Sequence, residues 1–214
     1  MVVKFIKNPH IIFFLTILLA TPLYSMESDS NFKTLISLLS SSKYISAEFR
    51  LDIYDESKKL KDSSSGFFKL LRPDFLMTET LKPYEQILSL NDKKFLQYDI
   101  DMEQLIIKEK PNELVELSNL LLLNDLKLLK KTFFVKSSEF LNEKIIFDVE
   151  LRSPRSTMKN IRLSFLNKIL SNMIIFDNFG TSMVLTLDKV NIETPISRKD
   201  FEIETTEETE IIYQ

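Results

Sequence analysis

GFFKLLRPDFLMTE, residues 66–79, reads as an apolar strand, a turn at a proline and a second apolar strand. Side chains alternate across a pleated strand, so Phe68, Leu70 and Arg72 share one face and Phe67, Lys69 and Leu71 the other. An arginine therefore closes a row that otherwise belongs to a core. Two readings are open. Arg72 can snorkel to water at the strand end, beside Asp74 or Glu79. Alternatively, it can hold its rigid fork of donors against backbone carbonyls at the edge of an interior space.

Working outward from this pair, alternation is the rule. Upstream, Ile45, Ala47, Phe49, Leu51 and Ile53 alternate with Ser46, Glu48, Arg50, Asp52 and Tyr54, the clearest strand pattern in the chain. The polar run DESKKLKDSSS, from Asp55, reads as a hairpin connection. Downstream, strands are expected at 86–90, 94–99 and 103–108, separated by short turn-forming links. Such links suit antiparallel neighbours, because a parallel crossover needs a dozen or more residues. After residue 131 strands resume at 132–136, 144–151, 159–166, 170–176 and 181–188, with a last one at 201–204. Ile161, Leu163 and Phe165 point one way in this half, and Asn167-Lys168 reads as a tight hairpin.

Two segments carry helical spacing instead. Before the first strand, Phe32, Leu35, Ile36 and Leu39 form a stripe. Between the two runs of strands, Pro111 opens a second stripe of Leu114, Leu117, Leu120 and Leu121, with further helical turns after Asp125. The expected fold is mainly β with α: about ten strands in a single curved antiparallel sheet. Its apolar face must be covered, and the helices are the only material for that. An unclosed half-barrel under helical lids meets both demands. The inward rows, including Phe49, Leu51, Phe68, Leu70, Ile161, Leu163 and Phe165, read equally as packed core or as cavity wall. Leu35, Leu39, Leu114, Leu117 and Leu121 read as lid or as ordinary packed helix.

Composition narrows the function. The first 25 residues carry Lys4 and Lys7, then the apolar IIFFLTILLA, then Pro22 and Ser25, the pattern of a cleavable export signal. A membrane anchor is the rival, but the apolar run falls short of a span. With 1–25 removed, residues 26–214 form a single domain, and the net charge of −3 becomes −5 because two lysines and no acid are lost. The only histidine, His10, leaves with them, and the chain has no cysteine. A Ser-His-Asp triad, a Cys-His pair and an imidazole-bound zinc are therefore excluded, and no cofactor or metal site is expected. An acidic chain without a basic block also argues against nucleic acid. The acidic clusters near Asp99 and at 202–210 lack calcium-loop spacing and read as solvated faces.

Residues 66–108 resemble the periplasmic outer-membrane lipoprotein carriers, the LolA family. The matches are Arg72-Pro73, Pro83, Glu85-Gln86, Asp92-Lys93, Tyr98-Asp99 and Glu103-Gln104, in the family's order. The opening helix, the Ser46-Ala47-Phe49 strand and the leucine-rich helix also fall in order. Departures are Met77 and Leu96 where the family favours tryptophan, a missing turn glycine, and Ile100 where proline is usual. The resemblance implies a non-enzymatic soluble monomer of the periplasm. It would take triacylated lipoproteins from an inner-membrane ABC-type releasing complex and pass them to an outer-membrane acceptor. It further implies that Arg72 latches the lid over an apolar cavity. A periplasmic lipid or lipoprotein sensor, or a general lipid binder, is the alternative. A sensor would need a partner domain or a tether, and a lipidated acceptor would need a cysteine that the chain lacks.

Overall fold

The structure is a computed structural model, and it describes residues 21–91, 94–110, 112–123, 125–152 and 156–214. The expected export signal at 1–25 lies largely outside these residues. The chain runs α1 (Thr21–Ser40), β1 (Tyr44–Tyr54), β2 (Leu60–Leu71), β3 (Phe75–Lys82), β4 (Gln86–Leu90), β5 (Lys94–Asp99) and β6 (Gln104–Glu109). Then come α2 (Asn112–Leu122), α3 (Leu126–Thr132), β7 (Phe133–Leu141), β8 (Lys144–Leu151), β9 (Met158–Leu166), β10 (Ile169–Asp177) and β11 (Ser182–Asn191). A 3-10 turn (Arg198–Phe201) and β12 (Glu210–Tyr213) follow.

All twelve strands join one sheet in the order β12-β6-β5-β4-β3-β2-β1-β11-β10-β9-β8-β7. β1 sits at its centre, between β2 and β11. Two meanders therefore spread from one seam, and the outermost strands, β12 and β7, do not meet. The sheet is curved and unclosed.

Its concave face carries the core. α1 lies over the β7–β10 arm, burying Phe32, Leu35 and Leu39 against Phe133, Phe147, Leu163 and Phe165. Phe147 stands edge-on to Phe165 with ring centres 6.0 Å apart, a favourable aromatic geometry. Lys130 of α3 secures α1 from outside, 2.9 Å from Asp29 and over the ring of Phe32. Asp125 caps α3 by accepting from the amides of Lys127 and Leu128, which otherwise lack helical partners.

The structure departs from the sequence expectation in four places. Leu60–Ser65, expected in a polar connection, extend β2, and Ser63 Oγ donates to Asp52 across the hairpin at 2.7 Å. Residues 60–63 are exposed, so this part of β2 needs no apolar row. Strand β7 runs on to Leu141 as the edge partner of β8. The strand expected at 201–204 does not form: Phe201 ends a 3-10 turn, burying its ring against Phe75 at 5.3 Å, and 202–204 are irregular. Finally, the sheet is not wholly antiparallel. β12, which follows β11 after the 192–209 segment, pairs with β6 in parallel.

Candidate functional site

Against the β1–β6 arm, where α1 does not reach, the concave face keeps an open cavity of about 700 Å³. Phe49 and Leu51 of β1 and Phe68 of β2 form part of its floor, with Leu76, Leu88 and Leu90 beside them. Met173, Ile175, Met183 and Leu185 continue the wall across the seam. Leu114, Leu117 and Leu121, spaced along one face of α2, form the cover. Toward the β3–β4 and β5–β6 turns the lining becomes polar, with Thr80, Gln86, Asp99 and Asp101 beside the exposed Tyr84 and Met102.

Not every expected residue stands at this wall. Leu70, Ile161, Leu163 and Phe165 are packed in the core cluster, at most 1% exposed, and do not line the cavity. Three of them lie on the arm that α1 fills, and Leu70 lies at the closed end of its strand. Leu35 and Leu39 belong to the same packed region. Residues not singled out from sequence include Met173 and Ile175 on β10 and Met183 and Leu185 on β11. Their period-two spacing puts each pair on one face of its strand. Nothing local distinguished an inward residue under a helix from one under a void.

Arg72 closes the row of Phe68 and Leu70, and all three are buried. The backbone fixes its place: its amide donates to Lys43 O at 2.8 Å, at the foot of β1. Its Nε donates to Leu121 O at 2.8 Å, and Nη1 donates to Ser42 O. Leu121 lies in the last turn of α2, where carbonyls have no partner within the helix. Ser42 lies between α1 and β1. One guanidinium thus ties the end of the cover to the foot of the helix on the other arm. Burial pulls its pKa well down, to about 10, yet leaves it charged at neutral pH. Asp74, its acidic neighbour in sequence, pairs with Arg198 instead, at 3.4 Å.

A second contact holds α2 at its other flank. Ser156 Oγ, before β9, donates to Glu116 Oε2 at 2.6 Å. Among the described residues, no group of three or more His, Cys, Asp or Glu could hold a metal ion.

The profile of the family described as "Outer membrane lipoprotein carrier protein LolA" matches residues 40–204, from the end of α1 to just past the 3-10 turn. This chain belongs to that family. Among curated members, the outer-membrane lipoprotein carrier protein of Pseudomonas fluorescens (strain Pf0-1) is 29% identical over 191 residues, covering 88% of this chain and 92% of the relative. The namesake of Chromohalobacter salexigens is 25% identical, over 91% of this chain and 92% of the relative. Among solved structures, an uncharacterized conserved protein from Thermus thermophilus shares the fold, with a TM-score of 0.54. It is 11% identical, over 87% of this chain and 99% of that one. In this chain Arg72-Pro73 directly follows β2, in which Gly66 stands mid-strand.

Proposed function

We infer that this protein is a periplasmic lipoprotein carrier. Residues 1–25 direct export and are removed, and residues 26–214 act as one domain. It accepts a triacylated lipoprotein from an inner-membrane ABC-type releasing complex, shelters acyl chains in the cavity under α2, and yields them to an outer-membrane acceptor. Arg72 is the latch of the closed, empty state. The observation that carries this reading is the bridge from Arg72 to the Leu121 carbonyl, which holds a helix end over an apolar space. Membership of the carrier family supports it.

Volumes and energies agree with a cover that must move. An apolar cavity of roughly 150 Å³ accommodates a benzene ring, so about 700 Å³ houses about 28 acyl carbons. That falls short of three bilayer-length chains. Loading therefore requires α2 to lift. Each sheltered CH₂ is worth about 0.8 kcal/mol against water, but the donor and acceptor membranes offer the same environment. Direction and release must come from the protein's own conformations, so a weakly closed cover is what the task needs.

The test uses spheroplasts displaying a labelled lipoprotein and the purified exported protein. A one-to-one soluble complex in the supernatant is the expected result. No release, with uptake of free lipid intact, would make a sensor or general lipid binder the better account.

A further inference from the structure

We propose that Glu116 and Ser156 form a second tether of the cavity cover, so that α2 is strapped at both flanks rather than latched at one end. The proposal rests on the carrier reading for its consequence, but the tether itself is a property of the unloaded protein.

Among the described residues, two side-chain hydrogen bonds cross from α2 to the rest of the molecule: Arg72 to Leu121 O, and Ser156 to Glu116. They fall on opposite arms of the sheet. Arg72 stands at the end of β2, and Ser156 just before β9. The helix thus lies over the cavity like a bar fastened at two points.

Ser156 is built to hold its end. Its hydroxyl oxygen accepts from the Met158 amide at 3.2 Å, which leaves the proton free to face Glu116. Its carbonyl accepts from Asn178 Nδ2 at 2.8 Å, and the Asn178 amide donates to Thr157 O at 3.0 Å. Ser156 and Thr157 are thereby pinned to the β10–β11 turn. Glu116 meets a fixed donor, and a bond to an ionised group is worth about twice a neutral one.

Glu116 itself points away from the cavity lining, which Leu114, Leu117 and Leu121 supply from the same helix. Its carboxylate therefore acts on cargo only through the position of those leucines. Release of Arg72 alone frees the C-terminal end of α2 and leaves the helix to swing about Glu116. Full clearance of the cavity requires both contacts to break.

The chain has no cysteine, so a pair of labels at Val115→Cys and Lys159→Cys reports the separation of cover and body directly. Ser156→Ala should raise the open-to-closed ratio about tenfold, as loss of one charge-assisted bond predicts. Ser156→Thr, which keeps the hydroxyl, should restore the wild-type distribution, and thermal stability should stay unchanged. Combined with Arg72→Leu, the two effects should multiply. An unchanged distance distribution in Ser156→Ala overturns the tether, whatever the variant does to lipid uptake. If the distances shift while no form of the protein takes up a fluorescent acyl probe, the tether stands and the carrier reading falls.

Discussion

Replacing Arg72 with leucine separates the latch from the fold. In the closed state the guanidinium makes two bonds to carbonyls. Bonds of that kind contribute about 1.5–3 kcal/mol each, so roughly 3–6 kcal/mol together. Against this stands burial: bringing the guanidinium's pKa down to about 10 costs roughly 3 kcal/mol. The group is only 8% exposed, so solvent screening trims this little. The latch therefore favours closure by about 0–3 kcal/mol, multiplying the closed-to-open ratio by a factor between about 1 and about 100. Leucine regains roughly 1.5–3 kcal/mol of apolar burial, but it leaves the Leu121 and Ser42 carbonyls unpaired at about 1–3 kcal/mol each. The balance moves toward the open form. Uptake of an acyl chain should then be undiminished, because nothing need be broken. Delivery should slow by about tenfold or more, because the closed state no longer competes with cargo. The assay loads Arg72→Leu with a labelled lipoprotein and follows its transfer to vesicles bearing an acceptor. Delivery at the wild-type rate by a folded Arg72→Leu protein would refute the latch.

Two further outcomes probe the scaffold. In Gly66→Ala the new methyl would lie 1.9 Å from Glu79 O and 2.9 Å from Thr80 Cα, both backbone atoms of β3. The β2–β3 ladder must open locally, costing about 1–3 kcal/mol and lowering Tm by roughly 2–12 °C in a chain of this size; an unchanged Tm would show that the ladder yields freely. Arg162 donates to Asp148 through Nε at 2.7 Å and Nη2 at 3.0 Å, which holds that carboxyl below its ordinary value of 3.8. A depressed carboxyl contributes stability above its unfolded pKa and loses it as pH falls through the folded one. Stability should therefore decline below about pH 4, less steeply in Asp148→Asn, and equal slopes from thermal melts at pH 5 and pH 3 would contradict the assignment.

Much of the fold was legible because each strand shows its solvent on one face. The alternation in β1 and β9 and the order Phe68, Leu70, Arg72 reflect a sheet with one wet side, which a pattern of period two encodes locally. Other features depend on what lies across the sheet. Whether Leu163 is packed or Leu51 borders a void depends on the reach of α1, and nothing near either residue records it. β12 escaped notice for a related reason. Ile211 and Ile212 gain strand geometry only by lying beside Leu105 and Ile106, more than a hundred residues upstream. The Glu116–Ser156 contact is likewise invisible in sequence, since a glutamate on a helix and a serine in a loop are unremarkable until the fold joins them.

The central seam also governs the order of assembly. β1 pairs with β11 from Ser46 with Asn191 to Tyr54 with Ser182, partners separated by on the order of 130 residues, and such distant contacts form late and slowly. Each meander can zip along its own hairpins, but neither can seat its apolar face until the strand at 182–191 has arrived. The chain is therefore committed to its compact state only near its end. Until then it is loose enough to be threaded in extended form, and afterwards the β1–β11 ladder joins the two arms.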